Sequence, residues 1–179
     1  MERTAASSVR IEPWSDSDLD LLRRANAPEL MAHLGGPEPE EQLMGRHARY
    51  VALSADRTGR GRMFRIALTG EADAVGTIGF WERTWRDQEV YETGWTVLPE
   101  FQGRGIASAA TRAVAGRARA ARKHRYLHAY PSVANGPSNG VCRKAGFTLL
   151  GECEIEYPPG HPLLTNDWRL DLHPDETAA

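Results

Sequence analysis

The sequence predicts an α/β (α+β mixed) fold: a mixed central sheet of about six to seven strands flanked by about four helices. Three observations carry this. Short β-rich runs interleave with helix-period runs after two opening helical segments. Glycine and proline punctuate the runs at most of their boundaries. The 179 residues, 41% hydrophobic and 26% charged, suit one domain spanning 1–179 with a real core.

"VRIEPW" alternates and stops at Pro13, which reads as a short first strand. "SDSDLDLLRRA" has acids at its start and arginines near its end, the order a helix dipole favours. "GGPEPEEQLMGRHARYVALSA" reads as a turn and a second helix, with Pro39 in the first turn and Leu43, Tyr50, Val51 and Leu53 on its apolar face. "RMFRIALTG" and "DAVGTIGFWER" flank Gly70 as a hairpin, and "EVYETGWTVLP" is the next strand. Residues 103 to 122 form a long alanine-rich helix, interrupted only by Gly116. "RYLHAYP" is a strand, "GPSNGVCRKAG" a short helix closed by Gly146. "FTLLGECEIEY" and "NDWRLDL" are the last strands, joined through the loop "PPGHP". Residues 1–7 and 173–179 read as loose tails.

The bulk properties exclude several classes. A net charge of -2 gives the molecule no bias toward nucleic acid or a membrane surface. No apolar run is long enough to span a bilayer, and "MERTAASSVR" lacks the apolar centre of a signal peptide. Cys142 and Cys153 are too few for a disulfide framework, and the six histidines show no ligand spacing, so no metal is expected. A reduced, cytoplasmic setting is the expectation.

The stretch "PEFQGRGIASAATRAVAGRARA" raises the functional question. A flexible turn, Gly103–Arg104–Gly105, stands immediately before a strong helix. The first N–H groups of a helix lack partners and sit at its positive end, and glycines let an anion approach them. Arg104 adds a charge-assisted contact. The pattern is not a P-loop, since no Gly-Lys-Ser/Thr follows, and it lacks the third glycine of a dinucleotide fingerprint. By itself the turn favours a plain loop over a phosphate site.

A second segment narrows the choice. "GWTVLPEFQGRGIA" together with "NGPSNGVCRKAGF" resembles the GNAT N-acetyltransferases, in the branch that includes the ribosomal-protein alanine acetyltransferases. Gln102, Gly103, Arg104, Gly105, Ile106 and Ala107 occupy the acetyl-CoA motif, a Gln/Arg-x-x-Gly-x-Gly/Ala pattern; Asn135, Ser138, Val141, Lys144, Gly146 and Phe147 fall at the downstream spacing. The resemblance is strongest over residues 76–151. It implies a GNAT-like fold with a splayed parallel strand pair, acetyl-CoA as acetyl donor, and direct attack by a primary amine in a ternary complex. It also implies that the backbone of Val97 and Leu98 pairs with the pantetheine arm, that residues 103 to 107 hold the pyrophosphate, and that Asn135 and Ser138 touch the cosubstrate. The acceptor is a small-molecule amine or a protein N-terminus. Dimerisation is common in this branch.

The chemistry needs a base and a proton donor. An alkylammonium near pKa 10.4 is about three units from deprotonation at neutral pH. The resemblance points to Glu92 in "YETGWTV" as the base, acting through a water; the competing reading is an ordinary salt bridge. Many relatives carry a tyrosine seven residues after the asparagine, where this chain has Cys142. Ser138 and Cys142 are therefore both candidate donors, against a helix cap for the serine and a core filler for the cysteine. Trp85, in the polar turn "RTWRDQ", is expected to have little to bury against, and so to line the acceptor pocket or a partner face. Two other functions stay open: an acyl-CoA-binding sensor without chemistry, and an interaction module built on the tryptophan turn and the proline loop.

Overall fold

Phe64 and Met63 are neighbours in sequence, and both are buried. Adjacent residues of a strand point to opposite faces, so this strand must be covered on both. A computed structural model, which describes residues 8–176, shows how. Seven strands form one sheet: β1 (Val9–Pro13), β2 (Gly61–Leu68), β3 (Gly76–Trp85), β4 (Gln88–Val97), β5 (Tyr126–Ala129), β6 (Thr148–Glu156) and β7 (Pro162–Asp171), in the order β1-β2-β3-β4-β5-β7-β6. The helices are α1 (Leu19–Ala25), α2 (Pro28–Met31), α3 (Glu40–Ala55), α4 (Ile106–Ala121) and α5 (Gly136–Lys144). The mixed α/β class and the strand count agree with the sequence reading.

On one face, Phe64, Ile66, Ile78, Phe80, Tyr91 and Leu127 pack against Ala110, Val114 and Ala118 of α4. Those helix positions recur every four residues, and their small side chains let the helix lie close to the sheet. On the other face, Met63 joins Trp14, Leu21, Leu22, Leu43 and Leu98 beneath α1 and α3. Each large apolar side chain so buried contributes about 1.5–3 kcal/mol.

Three local expectations are corrected. Pro39 is the N-cap of α3, one residue before its first turn, where its missing N–H leaves no helix bond unmade. α2 is a fifth helix in a stretch that sequence left without an element; its proline stands at the first helical position. β7 begins at Pro162, not near Asn166, because Leu163, Leu164 and Thr165 pair with Ile155, Glu154 and Cys153. Of the expected tails, 1–7 and 177–179 lie outside the described residues, whereas His173 N–H donates to Asp171 (2.9 Å) and Glu176 pairs with Arg122 (2.8 Å).

The feature that positions the site is the centre of the sheet. All pairs are antiparallel except β4 with β5, which is parallel. That pairing consists of Tyr91 opposite Leu127 and Glu92 opposite His128. The rest of β4, residues 93 to 97, runs on with no partner on that side, so the sheet splits open there.

Candidate active site

The split exposes backbone. Leu98 N–H donates to Val75 O (2.9 Å), and hydrogen bonding alternates along an antiparallel strand. Trp95 and Val97 therefore turn their backbone groups away from β3 and into the gap. The Val97 carbonyl accepts from Gln102 Nε2 (2.9 Å), which ties the glutamine of the turn to the lip of the gap. Leu98 is different from its expectation: its N–H is engaged by Val75 and its carbonyl by Phe101 N–H (2.9 Å). The backbone of Trp95 and the N–H of Val97, not Leu98, present the free edge, while the Val97 carbonyl is held by Gln102.

The glycine turn closes that end. Gly103 and Gly105 have φ of 75° and 76°, the left-handed region, where a side chain costs strain. A Cβ at either position would meet nothing within 4 Å, so glycine is there for backbone shape and an open approach. Gly105 caps α4, and its carbonyl receives the first helical bond, from Ala109 N–H (3.1 Å). The N–H groups of residues 106 to 108 precede that bond and point to the turn. Ile106 is buried and Ala107 half-buried, which anchors the helix start. The Arg104 guanidinium lies over the Phe101 ring at 5.4 Å and donates to Glu100 O (3.0 Å). Across the gap, Asn135 caps α5 by accepting from Ser138 N–H (3.2 Å). The gap thus has an open strand edge along β4, with the glycine turn and the start of α4 following from that strand.

The face away from α4 carries the titratable groups. Glu92 Oε2 accepts from Arg83 (2.9 Å) and from Trp81 Nε1 (3.3 Å). Gly94 makes room for Trp81, since a Cβ there would come within 3.1 Å of its ring. The Arg83 guanidinium lies 4.7 Å over the Tyr130 ring and 5.2 Å over Trp85. Trp85 is thus no exposed turn residue. It is half-buried, its indole tilted against Tyr130 at 5.0 Å, and Nε1 donates to Asp167 (3.0 Å). Asp167 also takes His128 Nδ1 at 2.6 Å. Around Tyr157 stand Arg46, Tyr50, Glu38 and Glu92, and burial pushes its phenol above the usual value. A Cβ at Gly35 would lie 3.3 Å from Pro158, so the loop before α3 meets the β6–β7 turn beside this face.

The family described as Acetyltransferase (GNAT) domain matches residues 8–148. The chain belongs to the GNAT acetyltransferases. It is an acyl-CoA-dependent N-acetyltransferase. No curated protein sequence shows significant similarity to it. Among solved structures, a GNAT acetyltransferase from Bacillus anthracis is 20% identical, with TM-score 0.74 over 94% of this chain and 97% of that one. The aminoglycoside acetyltransferase AAC(6')-Ib, solved with coenzyme A, is 16% identical, with TM-score 0.71 over 92% and 95%. An enzyme from Salmonella typhimurium that modifies the N-terminal serine of a 50S ribosomal subunit protein is 20% identical, with TM-score 0.72 over 92% and 95%. At these identities the likeness is one of fold.

Val97 and Gln102 are joined by a hydrogen bond, and Gly103 and Gly105 lead into the start of α4. Asn135 and Ser138 stand together at the start of α5. Cys142 stands apart. It is 0% exposed inside the main core, and burial pushes its thiol up to about 12, so it holds its proton as a small apolar filler would. Cys142→Ala is expected to lower stability by about 1 kcal/mol and to leave kcat within about twofold; thermal melts and steady-state rates check both. Sequence reasoning did not single out Arg83, His128, Asn139 or Asp167. Asn139 holds α5 to β7, its amide donating to Ser132 O (3.0 Å) and Asn135 O (2.8 Å) and accepting from Asn166 and Trp168 at 2.8 Å each. The "HAY" and "NDW" strands carried the signal for the other pair: a polar residue at an inward position of a strand otherwise rich in apolar residues. Among the described residues no group of three metal-ligating side chains is present, and no helix is long and apolar enough to cross a membrane.

Proposed function

We propose that the chain binds acetyl-CoA in the β4–β5 gap and acetylates a primary amine held on the Glu92 face, by direct attack in a ternary complex. The observation that carries this is the coincidence of three things at one place. The backbone of Trp95 and the N–H of Val97 are left to pair with an extended arm, as an added strand does, beside a Val97 carbonyl held by Gln102. The glycine turn and the start of α4 offer N–H groups to a pyrophosphate. Glu92 lies at the point where the strands part. Acetyl-CoA supplies the activated acetyl group; the residues of the chain bind, orient and move protons.

Glu92 receives the amine's proton through a water, with Arg83 and Trp81 fixing the carboxylate that does so. Of the two candidate proton donors Ser138, at the first turn of α5, is the one favoured, because Cys142 is sealed in the core. Asn135 and Ser138 contact the cosubstrate with residues 102 to 107. The acceptor is a small-molecule amine or a protein N-terminus: the solved relatives named above act on an aminoglycoside and on an N-terminal serine. Arg83 and Arg46 are each matched by one carboxylate, Glu92 at 2.9 Å and Glu38 at 2.6 Å, so the face has no excess negative charge to select a polycation. The chain works as one domain in the cytoplasm, where both free thiols stay reduced.

The test is a thermal-shift titration with acetyl-CoA and with free CoA, followed by thiol release against an amine panel. Ligand at 100 times its Kd stabilises by about 2.7 kcal/mol, which in a chain of this size raises Tm by about 5 °C or more. An unchanged melt at millimolar cosubstrate would overturn the placement. A shift with no turnover of any amine would favour a sensor.

A further inference from the structure

Glu92 of β4 and His128 of β5 are opposite each other at the last rung of the parallel pair, and residues opposite each other share a face. His128 is 4% exposed and Asp167 2%, with Nδ1 and Oδ1 2.6 Å apart. Burial pushes the Asp167 carboxyl up, but hydrogen bonds from His128 and Trp85, with the charge of Arg86 nearby, hold it below the usual range. An ionised carboxylate only accepts, so Nδ1 carries a hydrogen, and in the neutral ring Nε2 is the acceptor nitrogen. Among the described residues Nε2 has no protein partner; the one hydrogen bond of the ring is at Nδ1. Taking such a pair out of water costs several kcal/mol per ion if both are charged, and packing alone is served as well by apolar side chains. The groups facing it are Glu92 and Arg83 from the β3–β4 hairpin, Arg86 at its tip, Arg169 opposite His128 on β7, and Tyr130, stacked 5.7 Å from the imidazole.

A protonated amine must lose a proton worth about pKa 10.4, and an ordinary imidazole, about 6.5, is a better-matched holder than a carboxylate at about 4.3. We propose that His128 and Asp167 form a proton-holding pair behind Glu92: the proton leaving the acceptor amine passes through water and the Glu92 carboxylate to His128 Nε2. One ammonium N–H bond breaks and one Nε2–H bond forms. The imidazolium rests against Asp167 and releases the proton to solvent after transfer. His128 and Asp167 are positioning residues in this scheme, since neither touches the acceptor. The inference rests on the acetyl-transfer reading above.

The experiment measures kcat/KM for one amine against pH in the parent, H128Q and D167N, so that the ionisation of the amine cancels in each ratio. The parent-to-H128Q ratio is expected to depend on pH, smaller on the acidic side and about tenfold near neutrality. In D167N the acidic limb moves to lower pH, because the imidazolium loses its counter-charge. A ratio that is the same at every pH marks a packing role and overturns the pair. If H128Q does not fold, D167N decides: a limb that stays where the parent has it overturns the proposal. Absence of turnover in the parent overturns the acetyl-transfer reading and this inference with it.

Discussion

Gly105→Trp is expected to raise the Kd for acetyl-CoA by at least about 100-fold while the protein stays folded. Gly105 lies at φ 76° as the cap of α4, on the exposed side of the turn, where a Cβ would meet nothing within 4 Å. A bulky side chain therefore has space in the empty protein. The cost to the fold is the left-handed backbone, about 1 kcal/mol for a non-glycine residue. The cost to the ligand is larger. The indole occupies the approach to the N–H groups at the start of α4, and two lost hydrogen bonds to a charged group, at about 1.5 kcal/mol each, amount to about 3 kcal/mol, or about a hundredfold. Gly105→Ala separates the two effects: it carries the same backbone strain with little bulk, so it should lower Tm by a few degrees and keep most of the affinity. Isothermal titration with acetyl-CoA, beside thermal melts of both variants, is the measurement. Equal affinity in the tryptophan variant and the parent would place the pyrophosphate elsewhere.

What was legible in the sequence divides along a physical line. Local grammar was legible. The glycines that set the turn before α4, the asparagine that caps α5 and the alternation of the strands all act within a few residues of themselves. The splayed pair was named from resemblance alone, because no local pattern says where β4 and β5 stop pairing. Leu98 was read as free backbone because the motif places it at the strand end; its N–H is taken by Val75, 23 positions earlier in the chain. Trp85 was misread for the same reason. A polar turn suggests an exposed ring, but the partner that its N–H reaches, Asp167, lies across 82 positions of sequence. His128 and Asp167 are 39 apart and are joined only by the order β5-β7 in the sheet. Contacts of that range depend on topology, and neither residue stands in a motif of its own.

Glu92→Gln is expected to lower kcat by about 100-fold near neutral pH, with a larger loss on the acidic side. The side chain keeps its size, and the amide oxygen still accepts from Arg83 and Trp81, so the β3–β4 hairpin should hold and the affinity for acetyl-CoA should stay within about threefold. What is lost is the negative charge at the point where the gap opens. The acceptor then arrives as an ammonium with no carboxylate to take its proton, and each unit of pH below its pKa cuts the neutral fraction tenfold. The variant should recover toward the parent as the pH approaches that pKa, because solvent then deprotonates the amine unaided. The opposite reading, in which Glu92 only anchors Arg83, predicts a loss that is equal at every pH and is accompanied by a lower Tm. Arg83→Lys tells the two apart from the other side. It keeps a cation near Glu92 but removes the planar guanidinium stacked on Tyr130 and Trp85, so it should cost stability and acceptor KM while leaving the pH dependence of kcat in place. A pH profile altered by Arg83→Lys and unaltered by Glu92→Gln would move the proton chemistry off Glu92.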